Sequence, residues 1–212
     1  KALQQRNYLL KTIANTNKFS DDSLEIWDSQ LIKYGENIYE KRKEFISEFL
    51  PLFQKYYLLI SNHKEKVEVN YVSQLNNDDL GELLITNLEK DRYLQYTSSG
   101  IHKDDLEFII NGFPVKKFGS QGQQKSFLVA LKLAQFEFTK NIKGYKPILL
   151  LDDIFDKLDN ERVEQLVKLV AEENFKQVFI TDTQFDRIEN IFNKNEILHQ
   201  FFSVQNGNIS KL

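Results

Sequence analysis

The chain has no cysteine and no methionine, and only three prolines, eight glycines, three histidines and one tryptophan in 212 residues. Without cysteine there can be no disulfide and no thiolate-bound zinc, which agrees with a cytoplasmic setting. The histidines, His63, His102 and His199, lie too far apart to form a metal-ligand pair by spacing. Long apolar runs are missing too: no segment approaches the roughly 20 residues that span a bilayer, and no signal peptide is visible, so no membrane partner is expected. Nor is there an excess of one charge. Lys and Arg number 28 against 31 Asp and Glu, a net charge of −3. No global basic field announces a nucleic-acid binder, so any such contact must use a local patch. What remains is 41% hydrophobic and 28% charged. That is an ordinary globular composition, enough for one core or two small ones. Internal repeats and low-complexity tracts are also lacking.

Against this background residues 148–159 stand out. Ile148-Leu149-Leu150-Leu151, behind Pro147, is predicted to be a strand buried on both faces, as in a parallel α/β sheet. Asp152 and Asp153 follow where that strand would emerge at the carboxyl edge, the edge at which open α/β sheets bind ligands. Adjacent acids beside a dry strand are costly unless a cation or proton compensates them. This is the form of a Walker B strand, in which one Asp holds Mg²⁺ and the next acid polarises the attacking water. The plainer alternative is a strand that ends in a solvated acidic turn.

A second segment points the same way. Phe118-Gly119-Ser120-Gln121-Gly122-Gln123-Gln124-Lys125-Ser126 leads into Phe127, Leu128, Leu131, Ala134 and Phe138, apolar at helical spacing. A Gly-rich turn therefore caps a long helix, whose unpaired N–H groups and dipole suit an anion such as phosphate. The run nearly spells a P-loop, G-x-x-x-x-G-K-[ST], with Gly119, Lys125 and Ser126 in register. Gln124 replaces the second glycine, however, and no strong buried strand precedes the turn. It is not a P-loop.

Ser120, Gly122 and Gln123 instead match the Ser, second Gly and Gln of the Leu-Ser-Gly-Gly-Gln signature of ABC-type ATPases, with Gln121 in place of its first Gly. One long helix fills the interval to the acidic strand. Lys157-Leu158-Asp159 resembles the D-loop, and Gln177-Val178-Phe179-Ile180-Thr181 takes the place of the switch strand. With Gly100 to Phe108 added, the arrangement resembles the C-terminal part of the RecF family, bacterial DNA replication and repair ATPases related to the SMC proteins. The resemblance is strongest over these motifs and weaker but continuous from Gln5 onward.

That resemblance implies a mixed α/β fold, the C-terminal part of an ABC-type ATPase head with a mainly helical arm lobe. It implies ATP and Mg²⁺ as cofactors, with Asp152 on the metal through water and Asp153 as the base for the attacking water. Ser120, Gln121, Gly122 and Gln123 would contact ATP bound to the opposing subunit of an ATP-dependent homodimer. Lys157, Leu158 and Asp159 would line the same interface, although Asp159 also suits an N-cap for the next helix. The usual switch His is replaced by Asp182, which cannot donate to phosphate unless protonated. The hydroxyls of Thr181 or Thr183 are left as candidates. By the same resemblance the heads close on duplex DNA or a junction, work with recombination mediator proteins, and serve recombinational repair, replication recovery and the SOS response. Two other readings stay open: a non-hydrolysing binding module on this fold, and a metal-dependent nuclease that adds Asp104 and Asp105 to the acid pair.

No Walker A loop occurs among the 212 residues, and the sequence opens on Lys1 without a methionine. The expectation is therefore a C-terminal fragment of a longer enzyme, or one half of a split protein.

The pattern divides at about residue 97. Residues 1–97 are expected to form the arm lobe, and residues 98–212 the head part. Residues 1–14 read as the last turns of a helix with Leu3, Leu10 and Ile13 on one face. From Leu24 through Trp27, Leu31, Tyr34, Ile38, Phe45, Phe49 and Leu52 runs a long amphipathic helix, N-capped by Ser20, Asp21 or Asp22, with Pro51 at its end or a kink. Its period lasts only about four heptads, too short for an SMC-like coiled coil. Within it Lys41-Arg42-Lys43 is the sharpest basic run, a candidate for DNA phosphates or simply a solvated face. Residues 67–72 alternate as a strand, and 78–96 return to helix. Leu106 to Gly112 reads as a strand and an Asn-Gly hairpin turn, and the chain closes on a second hairpin. His102, Lys103, Asp104 and Asp105 are expected to form a hydrogen-bonded turn rather than a metal site.

Overall fold

The computed structural model describes residues 1–16, 22–171 and 175–212. Along these the elements are α1 (Ala2–Thr16), α2 (Asp22–Ile60), β1 (Val67–Val72), α3 (Leu80–Thr86), α4 (Leu88–Leu94), β2 (Asp105–Ile110), β3 (Phe113–Pro114), α5 (Val115–Phe118), α6 (Gln121–Lys143), β4 (Ile148–Leu151), α7 (Asn160–Ala171), β5 (Gln177–Ile180), α8 (Phe185–Lys194), β6 (Phe202–Gln205) and β7 (Asn208–Lys211). The sheets have the orders β1-β2-β3, β4-β5 and β6-β7. Packing divides the chain into two units that interleave along the sequence: Lys1–Glu48 with Val69–Phe108, and Phe49–Glu68 with Ile109–Leu212.

The first unit is mostly helical. Leu10, Leu24, Leu80 and Leu84 are buried at its centre. Gly35 lets α3 cross α2 closely: a Cβ there would lie 2.5 Å from Leu80 Cδ2. An ion cluster ties the helices together. Arg6, fully buried, donates to Asp28 Oδ1 at 2.5 Å, Asp91 Oδ2 at 2.6 Å and Thr97 Oγ1 at 3.0 Å. Asp91 is also buried and accepts from the backbone and hydroxyl of Ser98. A buried guanidinium is tolerable only when carboxylates compensate it in this way. Asp79 caps α3 through the backbone N–H groups of Gly81 and Glu82. The expected helix over 78–96 is broken at Asn87, which ends α3 and precedes α4.

In the second unit the C-terminal part of α2 packs along α6. Phe127 lies 5.2 Å from Phe53 and 4.6 Å from Tyr57 between ring centroids, and Lys55 pairs with Glu137 at 3.0 Å. Of the two expectations for Pro51, the end of α2 is excluded, because the helix runs through it. The helix continues to Ile60 because Phe53, Tyr56, Tyr57 and Ile60 prolong its buried stripe and outweigh the lost backbone bond. The helix-start candidates Ser20 and Asp21 lie outside the described residues, as does the side chain of Asp22. Asn111 and Gly112, with φ of 48° and 84°, make the expected turn between β2 and β3, paired antiparallel. Asn206 and Gly207 do the same between β6 and β7.

β4 and β5 pair in parallel, Leu149 opposite Val178 and Leu151 opposite Ile180. Leu149 and Leu151 are buried, but Ile148 and Leu150 are 60% and 69% exposed, and Phe179 opposite Leu150 is 51% exposed. The expectation of a strand buried on both faces is thus corrected. Only one face is covered by the described residues, so four apolar residues in a row record a surface that these residues leave open.

Candidate functional site

The turn before α6 is built by a capping box. Ser120 Oγ accepts from the N–H of Gln123 at 3.2 Å, and Gln123 Oε1 accepts from the N–H of Ser120 at 2.8 Å. This fixes the entry of the chain and leaves the N–H groups of Gln121 and Gly122, in the first turn, without intrahelical acceptors. Ser120 and Gln121 are exposed, so both can meet a ligand. Gly122 has a steric reason: a Cβ there would lie 3.0 Å from the carbonyl oxygen of Lys157. The signature-like turn and the D-loop-like turn therefore meet backbone to backbone. That contact was not foreseeable from spacing, although a glycine inside a helix start is its one trace.

The acid pair is held by the neighbouring strand. After β4 and β5 the ladder extends one step, with the N–H of Thr181 donating to the carbonyl of Leu151 at 3.0 Å. Thr181 Oγ1 then donates to Asp152 Oδ1 at 2.5 Å and accepts from the N–H of Asp153 at 3.0 Å. Asp153 itself has φ of +46°, a left-handed conformation that non-glycine residues rarely hold and that concentrates at functional sites. Its carbonyl accepts from Lys125 Nζ at 2.8 Å, which brings α6 to the same turn. Asp152 and Asp153 are both exposed. One exposed carboxylate, oriented by a hydroxyl, suits Mg²⁺, which keeps most of its waters. Among the described residues no group of three or more His, Cys, Asp or Glu gathers as a metal cage.

The other candidates take up distinct places. Lys157 also has a positive φ, 64°, and Leu158 is buried with its carbonyl accepting from Arg187 Nη2 at 2.9 Å. Asp159 caps α7, accepting the N–H of Arg162 at 2.8 Å. Asp182 accepts the N–H of Gln184 at 2.6 Å and so shapes the turn into α8, while Thr183 is exposed. In the first unit Arg42 is committed to Asp104 Oδ2 and the carbonyl of Ile101, both at 2.7 Å. Lys41 and Lys43 are exposed beside it, Lys43 Nζ being 5.6 Å from the Tyr39 ring. Asp104 also accepts from Tyr71 at 2.5 Å, and His102 Nε2 lies 3.0 Å from the carbonyl of Thr97. Burial and that bond to Asp104 push the Tyr71 hydroxyl up to about 12. The cluster around His102 is a bonded turn, with Asp104 Oδ2 already paired to Arg42 and Tyr71.

The structure brings together Ser120, Gly122, Gln123, Lys157 and Asp159 on one side, and Asp152, Asp153 and Thr181 on the other, with Lys125 reaching between them. An anchored acid pair beside a helix start bearing open N–H groups can orient water and hold anionic oxygen. The fold carrying it is a mixed α/β fold of the kind found in SMC head domains. A crystal structure of the Smc head domain from Pyrococcus furiosus, with an extended coiled coil and bound to the C-terminal domain of ScpA, superposes with a TM-score of 0.52 at 16% identity, covering 99% of this chain and 49% of the other. A solved structure of the recombination mediator protein RecF with ATPrS in the RecFOR pathway matches more fully: TM-score 0.75, 29% identity, 100% of this chain and 56% of that one. The DNA replication and repair protein RecF of Flavobacterium johnsoniae is 52% identical over 204 residues, 96% of this chain. No protein-family model matches the chain. Over nearly its whole length the chain is similar to RecF proteins, and the similarity lies on their C-terminal portion. The chain spans 57% of the length of the Flavobacterium relative.

Proposed function

We propose that this chain is the C-terminal part of an ATP-dependent DNA-binding repair protein, in which ATP drives two heads together around DNA. The observation that carries this reading is the acid pair at the end of β4, tied by Thr181 to the end of β5 and by Lys125 to the signature-like helix. In this reading Asp152 holds hydrated Mg²⁺, which would neutralise phosphate charge as it develops. Asp153 takes the proton of the attacking water. Ser120, Gln121, Gly122 and Gln123 bind the γ-phosphate of ATP held by the partner head, and Lys157, Leu158 and Asp159 line the junction. Thr181 acts first on Asp152, and Thr183 is the remaining hydroxyl for phosphate. Residues 1–97 serve as the arm lobe and 98–212 as the head part. Lys41 and Lys43 are better placed than Arg42 for DNA phosphates, because Arg42 is paired with Asp104. Recombination mediator proteins are the expected partners, the cytoplasm the setting, and recombinational repair with the SOS response the process served.

Ser120→Arg in the full-length protein tests the in-trans role. A long side chain at the helix start should block the junction but leave the nucleotide pocket of the same head untouched. Labelled ATP should bind the monomer as in the parent, while sedimentation with ATP shows no dimer and turnover stops. Loss of ATP binding by the monomer would put Ser120 in the wrong site. Normal dimerisation would remove the signature assignment.

A further inference from the structure

Behind the signature-like turn sits a polar cluster that the proposed chemistry does not use. Glu65, in the loop between α2 and β1, accepts at Oε1 from Gln123 Nε2 and from Arg162 Nη2, both at 2.8 Å, and at Oε2 from the Tyr57 hydroxyl at 2.7 Å. Its side chain is 13% exposed and that of Arg162 14%. Arg162, in the first turn of α7, also donates from Nη1 to Ser126 Oγ at 2.9 Å, and Ser126 passes a bond to the carbonyl of Gly122 at 2.8 Å. Its Nε lies 3.3 Å from Asp159 Oδ2, and its backbone N–H is the one that Asp159 caps.

Each end of this cluster therefore fixes a turn. Gln123 is the residue whose other amide atom closes the capping box on Ser120, and Asp159 belongs to the turn whose Lys157 carbonyl abuts Gly122. We infer that Glu65 is a positioning residue: through Gln123 and Arg162 it holds the signature turn and the D-loop turn in one register, so that both present to the opposing head together. The inference rests on the in-trans reading above for its consequence, but its geometry is independent of it. Burial would raise the Glu65 pKa, but hydrogen bonds from Gln123, Tyr57 and Arg162, with the guanidinium charge, outweigh it and hold the carboxyl below its ordinary range. The hub is thus charged at neutral pH, when its bonds are strongest.

The test uses the full-length protein with Glu65→Ala, Glu65→Gln and Arg162→Lys. Glu65→Gln keeps an oxygen for both donors, whereas Glu65→Ala leaves Gln123 and Arg162 without one. Hydrogen exchange without nucleotide should speed up by about tenfold at the amides of Gln123 and Arg162 in Glu65→Ala, the size expected for losing charge-assisted bonds. Glu65→Gln should fall between Glu65→Ala and the parent, and exchange in α3 should not move. ATP affinity of the monomer should stay within about twofold while ATP-dependent dimerisation weakens about tenfold. If Glu65→Ala fails to fold, Arg162→Lys decides, since lysine cannot fork to both Ser126 and Glu65. Unchanged exchange at Gln123 and Arg162 would overturn the positioning role, and so would dimerisation at parental strength. A parent that does not dimerise with ATP would instead defeat the in-trans reading, and the exchange data would still judge Glu65.

Discussion

Thr181 separates the roles of two acids that the sequence presents as equals. Its hydroxyl hydrogen goes to Asp152, and its oxygen receives the backbone N–H of Asp153, so one side chain orients the first carboxylate and the backbone of the second. Asp153 is exposed, while its backbone is pinned at a positive φ. Asparagine tolerates the same left-handed backbone and has nearly the same shape. Asp153→Asn in the full-length protein should therefore fold, bind ATP and dimerise. It should lose turnover by about 10²–10⁴-fold, because an amide cannot take the proton of water. Phosphate release measured beside sedimentation checks this, and hydrolysis at the parental rate would show that Asp153 is not the base.

At the scale of elements, starts and stops were legible where the signal is local. Asp159 before α7 was read as a cap residue and the cap forms as its side-chain chemistry requires, while the Gly-rich turn read at the start of α6 is closed by a Ser120 capping box. The Asn-Gly turns were equally plain. Three things were not. Glu65 has no sequence signature, since its partners Tyr57, Gln123 and Arg162 come from three different helices. Arg162 had only its spacing of three from Asp159 to mark it. The course of α2 past Pro51 depends on tertiary packing, because buried Phe53, Tyr57 and Ile60 hold the helix beyond a residue that opposes it. Pro51 is itself exposed, so its removal costs little packing. Pro51→Ala should restore the missing N–H and raise stability by about 1–2 kcal/mol, less than the full helix penalty because the unfolded chain also gains freedom. Urea denaturation would measure it. A loss of stability would mean that the neighbouring packing is shaped to the proline bend.

At the scale of the whole molecule, the acid strand, the signature-like turn and the D-loop-like turn are all present, and the motifs that carry the resemblance fall at their predicted elements. The open apolar face of Ile148, Leu150 and Phe179 was hidden from a reading of the strand alone, because a run of apolar residues looks the same whether its cover lies nearby or elsewhere. Among the described residues no turn has the form of a cradle for the phosphates on its own side. No G-x-x-x-x-G-K-[ST] run occurs in the 212 residues, and the nearest approach, Gly119 to Ser126, is a capped helix start with Gln124 where the second glycine would be. Gln124 also spends its side chain on the carbonyl of Gly119 at 3.0 Å, closing the turn that a P-loop would leave open. The backbone N–H groups of a P-loop and its lysine carry most of the grip on a triphosphate, whereas in the in-trans reading proposed above Ser120 and its neighbours meet only the γ-phosphate of a nucleotide held by the other head. The 212-residue chain by itself should therefore bind ATP too weakly for calorimetry at micromolar concentration, with or without Mg²⁺, and should release no phosphate from it. The full-length protein should bind under the same conditions, and that contrast assigns the primary nucleotide pocket to the remainder of the protein. Saturable micromolar binding by the 212 residues alone would place the pocket within them and turn Ser120 and Lys125 into ligands of the chain's own nucleotide.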